Sequence, residues 1–103
     1  MFARLTVAEI MMGKLDEALK LYEDSIIPAA KSQKGYRGAY LLADDKTGKV
    51  IAITLWDSEA DTAAQEWVTE DRGYYKEQLA KFKDYFVGTP IREGYDVKVQ
   101  SIV

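Results

Sequence analysis

Whatever chemistry this chain performs must come from a short list of side chains, because its 103 residues include no Cys, no His and no Asn. Without Cys there is neither a disulfide nor a thiolate nucleophile. Without His the usual general base, the usual transition-metal ligand and the usual axial haem ligand are all missing. Carboxylates, Tyr, Trp, Ser, Thr, Lys, Arg and the substrate itself remain. Arg4 is a cation on an apolar segment, which either snorkels out at the strand end or faces a cavity where it holds an anionic or phenolate oxygen. Thr6, two residues on, either offers its hydroxyl to a pocket or serves as a good strand residue. Of the seven tyrosines, Tyr40 is the one on a strand that could line a pocket, whereas Tyr22 and Tyr75 fit helical stripes. Trp67 is either a core aromatic or a platform on which a ligand stacks. DDKTG lacks the twelve-residue ligand pattern of a calcium loop and reads as a turn. No Gly-rich phosphate loop, nucleophile elbow or metal constellation is present.

The elements that must position these residues follow from periodicity. Phe2 to Ile10 is mostly apolar and reads as a strand that ends near Gly13. From Lys14 the period becomes helical, with Leu15, Ala18, Leu19, Tyr22, Ile26 and Ala30 in one stripe; Pro28 kinks the helix or starts its last turn afresh. KGYRG breaks the pattern. Tyr36 to Asp44 is a second strand, DDKTGK a turn, and Val50 to Trp56 (VIAITLW) a third strand, so these two form a hairpin. Ser58 and Asp61 resemble a capping box, and a helix is expected from about Glu59 to Val68. A further helix from about Tyr74 to Phe86 buries Tyr75, Leu79, Phe82 and Phe86, with Gly88 and Pro90 ending it. The last strand is expected from Tyr95 to Ser101, where Tyr95, Val97 and Val99 alternate with Asp96, Lys98 and Gln100.

The order β-α-β-β-α-β predicts a single α+β domain over residues 1–103 with a ferredoxin-like, antiparallel four-stranded sheet, helices on one face, and the first and third strands central. VIAITLW is apolar on both faces, yet there is no third layer to cover the second. Four strands about 18 Å long at about 4.8 Å spacing give a face of roughly 350 Å² in projection, and about twice that in accessible side-chain area. Apolar patches of that size are rare on monomers, while each partner of a standard interface buries about 800 Å². A homodimer packed sheet against sheet is the expectation. The net charge of -3 and the absence of a basic patch argue against nucleic acid. No run reaches the length of a membrane span, MFARLTVAEIMM lacks a signal-peptide cleavage site, and the cytoplasm is the default compartment.

The stretch KGYRGAYLLADDKTGKVIAITLWDSE, with its Gly-aromatic-x-Gly opening, hairpin and strand-ending Trp-Asp-Ser, resembles the antibiotic biosynthesis monooxygenase family of dimeric α/β barrels, and the likeness extends over most of the chain. The resemblance implies ferredoxin-like chains that pair their sheets into a barrel. Some such proteins oxidise polycyclic aromatic or quinol substrates with dioxygen and no cofactor; others degrade haem. Haem-degrading relatives use an Asn, a Trp and a His, and Thr6, Trp67 and Glu77 or Gln78 stand at those places, which disfavours haem degradation. Gln65 stands where quinol-oxidising relatives tend to carry a His. The expectation is therefore a cofactor-independent monooxygenase-like protein for a small aromatic or quinol substrate, with Arg4, Thr6, Tyr40, Gln65, Trp67 and Gln78 as candidate lining groups. In such chemistry the substrate's own anion donates an electron to oxygen, and the protein binds, desolvates and stabilises it. The alternative is a non-catalytic dimer of the same fold that binds a small ligand or serves as an interaction module.

Overall fold

A computed structural model describes residues 1–65 and 73–103, with the side chains of residues 63–65 and 73–76 left aside. The strands are β1 (Phe2–Ile10), β2 (Tyr36–Ala43), β3 (Lys49–Trp56) and β4 (Phe86–Asp96), in one antiparallel sheet ordered β2-β3-β1-β4. The first and third strands are central, as the chain order requires. Helices α1 (Leu15–Leu21), α2 (Ile27–Lys31) and α3 (Gly73–Lys83) cover one face. No helix among the described residues is long and apolar enough to cross a membrane.

The register sorts the alternating side chains. Phe2 lies opposite Trp56, Arg4 opposite Thr54, Thr6 opposite Ala52 and Ala8 opposite Val50, so these residues share the helix-facing side. Trp56 and Val50 are fully buried there, with Ala8, Ile10, Tyr22, Ile26 and Phe82. Ala18, Ala29 and Ala30 are buried on the helices; residues this small let the helix backbone approach the sheet and leave room for the Trp56 ring. Leu5, Val7, Ile51, Ile53 and Leu55 point the other way, beside Tyr40, Leu42, Ile91 and Tyr95, which stay about half exposed. Nothing in this chain covers that second face among the described residues.

The long first helix is interrupted where Pro28 predicts it. Pro has no N–H to give the carbonyl four residues back, and Tyr22–Ile26 relaxes into a π-helical turn before α2 restarts with Pro28 in its first turn. The second helical region departs from expectation at both ends. Glu59–Gln65 forms a 3₁₀ helix rather than an α-helix reaching Val68. Ser58 does meet Asp61, its hydroxyl donating to the carboxylate at 3.0 Å. Thr62 ties its hydroxyl to the Glu59 carbonyl at 2.6 Å, a local bond that competes with regular α-helical geometry. Helix α3 stops at Lys83, three residues before the expected end.

The largest correction concerns the last strand. It runs over Phe86–Asp96 instead of Tyr95 to Ser101, so Gly88 and Pro90 lie inside it rather than ending a helix. β4 is an edge strand, where a residue lacking N–H can face outward without breaking the ladder. The register between β1 and β4 slips between Val7 and Glu9, and Gly88 in that gap has φ +73°, the left-handed conformation a glycine supplies at a bulge. Beyond Asp96, residues 97–103 form neither helix nor strand.

Candidate functional site

Between the helices and the sheet lies a cavity of about 50 Å³. Its floor is one cross-strand row, Ala52 on β3, Thr6 on β1 and Arg92 on β4, brought side by side by the register. Tyr22 and Ile26, the first and last residues of the π-helical turn, form one wall. Leu79, Phe82 and Lys83 of α3 and Phe86 and Pro90 of β4 form the rest. The π turn thus aims two large side chains inward from one element. The Phe82 ring stands 5.3 Å from Tyr22 and 5.2 Å from Phe86, centroid to centroid, the tilted and edge-on contacts favoured by ring quadrupoles. The charged residues among the described lining are both basic, Lys83 and Arg92.

The adjoining cross-strand row holds a buried hydroxyl, Thr54, beside a half-buried cation, Arg4. Arg4 faces Thr54 across the ladder and Gly94 on the other side. A Cβ at Gly94 would come within 2.5 Å of Phe2 Cζ and 3.0 Å of Arg4 Nη1, so the glycine makes space for both side chains. The Arg4 guanidinium lies 5.4 Å from the centre of the Phe2 ring, within cation–π range. Its Nη2 donates to Thr62 Oγ1 at 3.3 Å. Arg4 Nε, Thr54 Oγ1 and Trp56 Nε1 are buried without a hydrogen-bond partner. Three buried polar groups without a partner on two neighbouring rows are unusual, since native interiors pair nearly all their polar groups. The row sits two residues, about 7 Å, along the sheet from the cavity floor.

Of the residues singled out from sequence, Thr6 lines the cavity and Arg4 lies in the neighbouring row. Arg4 is half-buried and donates a hydrogen bond to Thr62. Gln78 is 4% exposed on α3, and it does not belong to the described lining. Tyr40 stands on the opposite face of the sheet, pairing with Ile53, and cannot reach this cavity. Trp67 and the side chain of Gln65 lie outside the described residues. The sequence reading missed Arg92 and Lys83. Arg92 shares the parity of Phe86 and Pro90, and starting the last strand at Phe86 instead of Tyr95 would have exposed it as a helix-facing cation.

Tyr36, Tyr85 and Tyr95 offer no base at neutral pH. Burial pushes the Tyr36 phenol up from its ordinary value. Tyr85 is raised chiefly by its hydrogen bond to Glu17, and Tyr95 by its hydrogen bond to Glu93. A wider concavity of about 250 Å³ opens at the far end of β1, among Met11, Met12 and the β2–β3 turn. It has no aromatic wall among its described residues and no unpaired buried donor.

No protein-family profile matches the chain. Two uncharacterised Mycobacterium tuberculosis proteins, from two strains, are 30% identical over 97 residues, which is 93% of this chain and 40% of theirs; the chain spans about two fifths of the length of these curated relatives. Among solved structures, a monooxygenase from the ActVA-Orf6 gene of Streptomyces coelicolor, in complex with the ligand nanaomycin D, aligns with a TM-score of 0.77 at 12% identity, covering 99% of this chain and 91% of that one. SnoaB, a cofactor-independent oxygenase from Streptomyces nogalater, aligns with a TM-score of 0.74 at 11% identity over 96% and 94% of the two chains. The chain therefore has the fold of the antibiotic biosynthesis monooxygenases.

Proposed function

We propose that this chain is a cofactor-independent, monooxygenase-like protein of that family, acting as a sheet-to-sheet homodimer on a small aromatic substrate that ionises at a phenol or an activated CH₂, such as a quinol or an anthrone. The observation that carries the reading is the cavity itself. It is walled by Tyr22, Phe82 and Phe86, and the charges on its described lining, Lys83 and Arg92, are both positive. An aromatic anion seated there meets flat apolar surface and cations held in place, which stabilise charge better than mobile water does. With an anthrone, the CH₂ becomes a carbonyl and the second oxygen atom leaves as water; the substrate supplies all four electrons. The protein has only to favour the anion, exclude water and leave a path for oxygen. Thr6 and Arg92 on the floor, and the unpaired groups of Arg4 and Thr54 one row away, supply acceptor-seeking groups at one end of such a ligand.

One observation favours the second reading, a ligand-binding or interaction dimer without catalysis. A cavity of about 50 Å³ holds one or two waters, whereas small-molecule sites run from about 300 Å³ upward. Oxygen uptake with a panel of quinols and anthrones, run on the wild type and on Arg92→Met and Thr6→Val, separates the two. The oxygenase reading expects uptake above the uncatalysed rate that falls at least tenfold in Arg92→Met. Uptake at the uncatalysed rate throughout, with no shift in Tm on adding the substrates, leaves the interaction dimer.

A further inference from the structure

A carboxylate interrupts the uncovered face of the sheet. Glu93 shares its parity on β4 with Ile91 and Tyr95, and it lies opposite Leu5 of β1, with Ala3 and Val7 diagonal to it. The same row continues through Ile53 of β3 to Tyr40 of β2. Apart from the two phenols, these neighbours are apolar. Glu93 is half-buried among them in the single chain.

No cation holds this carboxylate among the described residues. Its one hydrogen bond there comes from the Tyr95 phenol, which donates to Oε2 at 2.6 Å. The other charged groups of this face stand at its ends. The α-amino group of Met1 and the Glu9 side chain are each four residues from Leu5 along the chain, about 13 Å, and Lys49 lies opposite Glu9. Arg37 and Asp57 pair with each other, as do Lys98 and Asp96. Arg4 and Arg92 share rows with Thr54 and Thr6 on the helix-facing side.

Resting on the sheet-to-sheet homodimer proposed above, we infer that closure of the dimer is linked to the uptake of a proton by Glu93, so that mild acid drives two copies together. Covering the face takes water away from the carboxylate, and its own chain supplies no cation in exchange. The Tyr95 phenol offsets part of that cost. A proton on the oxygen that Tyr95 does not hold removes the charge itself and leaves an O–H. Each copy takes its proton from solvent, so a dimer takes up two.

The direction follows from linkage. A state that binds more protons is favoured as the pH falls, so the dimer tightens on acidification and loosens toward neutrality. The composition keeps other titrations out of the way. The chain has no His, the side chain whose ordinary value lies between about pH 5 and 8, and the α-amino group stays charged below about pH 7. A change in association between about pH 7 and 5 therefore reports a carboxylate moved by its surroundings, and Glu93 is the one set among apolar residues on this face.

Sedimentation equilibrium of the full chain at about pH 7 and pH 5 tests this. The wild-type dissociation constant should fall at least tenfold on going to the lower pH. Glu93→Gln keeps the shape and cannot ionise; it should dimerise at pH 7 as tightly as the wild type does at pH 5, with its two constants agreeing within twofold. A wild-type constant that is equal at both pH values, or that rises at the lower one as it would if a cation of the partner held the carboxylate, overturns the linkage. So does a pH dependence that survives in Glu93→Gln. Ile53→Glu, run alongside, reports on the sheet pairing separately: if it is monomeric while the wild-type dimer ignores pH, the pairing stands and the linkage alone falls. A wild type that is monomeric at both pH values overturns both.

Discussion

Thr54 buries a hydroxyl that has no partner, beside an Arg4 Nε and a Trp56 indole N–H in the same condition. A buried donor or acceptor left unpaired costs about 1–3 kcal/mol. Thr54→Val removes the hydroxyl at nearly constant shape. It is expected to raise unfolding stability by about 1 kcal/mol in denaturant titrations, while weakening the binding of an oxygen-bearing aromatic such as a hydroxynaphthoquinone. Loss of stability in this variant would show that the hydroxyl is satisfied, by water or otherwise. Tyr36 gives a second expectation at this scale. Its ring meets Trp56 edge-on at 5.7 Å, and burial raises its phenol above the ordinary value near 10. Below pH 10 the phenol is neutral in both folded and unfolded chains, and stability owes nothing to pH. Above it the unfolded chain ionises first, so stability falls until the pH passes the raised folded value. Tyr36→Phe should lose less stability than the wild type as the pH rises above about 10, measured by thermal unfolding. Single residues were the least legible level of the sequence. Thr6 and Arg4 were identifiable because a hydroxyl and a cation interrupt an apolar strand, whereas Arg92 was hidden by a misplaced strand and Tyr40 by a parity that only the pairing register fixes.

At the scale of elements, the sequence was readable wherever periodicity was unbroken. β1 matches its expected span, the β2–β3 hairpin is within a residue of it, and Pro28 marks the point where the first helix is interrupted. The failure at the last strand has a physical cause. Gly88 and Pro90 are helix-ending residues by propensity, but on an edge strand the same two residues make a bulge and a blocked ladder. Which meaning applies depends on where the strand sits in the sheet, and local sequence does not carry that. The 3₁₀ helix after Ser58 was hidden for a related reason, since Thr62 and Asp61 turn their oxygens back on neighbouring groups. Gly88→Ala isolates the backbone contribution. Nothing lies within 4 Å of where the new Cβ would stand, so the cost is the left-handed conformation alone, about 1–2 kcal/mol. A larger loss, or none, in a denaturant titration would mean that the bulge is not held at φ +73° in solution.

For the molecule as a whole, the deciding feature is the uncovered side of the sheet. Leu5, Val7, Ile53, Leu55, Ile91 and Tyr95 stand on it together. Glu93, on the edge strand β4, accepts a hydrogen bond from Tyr95 at 2.6 Å, which lowers the cost of covering it. A layer of this size left in water is a large unfavourable term for so small a domain, and at about 25 cal/mol per Å² a face of some 700 Å² accounts for well over 10 kcal/mol per copy before association costs. Ile53→Glu tests whether a second copy claims it. Ile53 lies on a central strand between Leu5 and Tyr40, and it is only partly buried in the single chain. The new carboxylate can reach water in a monomer, but it faces an apolar partner in a dimer. Light scattering at micromolar concentration should therefore show the wild type at twice the chain mass and Ile53→Glu at the chain mass, with unchanged far-UV circular dichroism. If both species have the chain mass, the sheet is covered by something other than a second copy. If both are dimers, the interface lies on the helical side, and the cavity between α3 and the sheet would then open toward the partner instead of toward solvent.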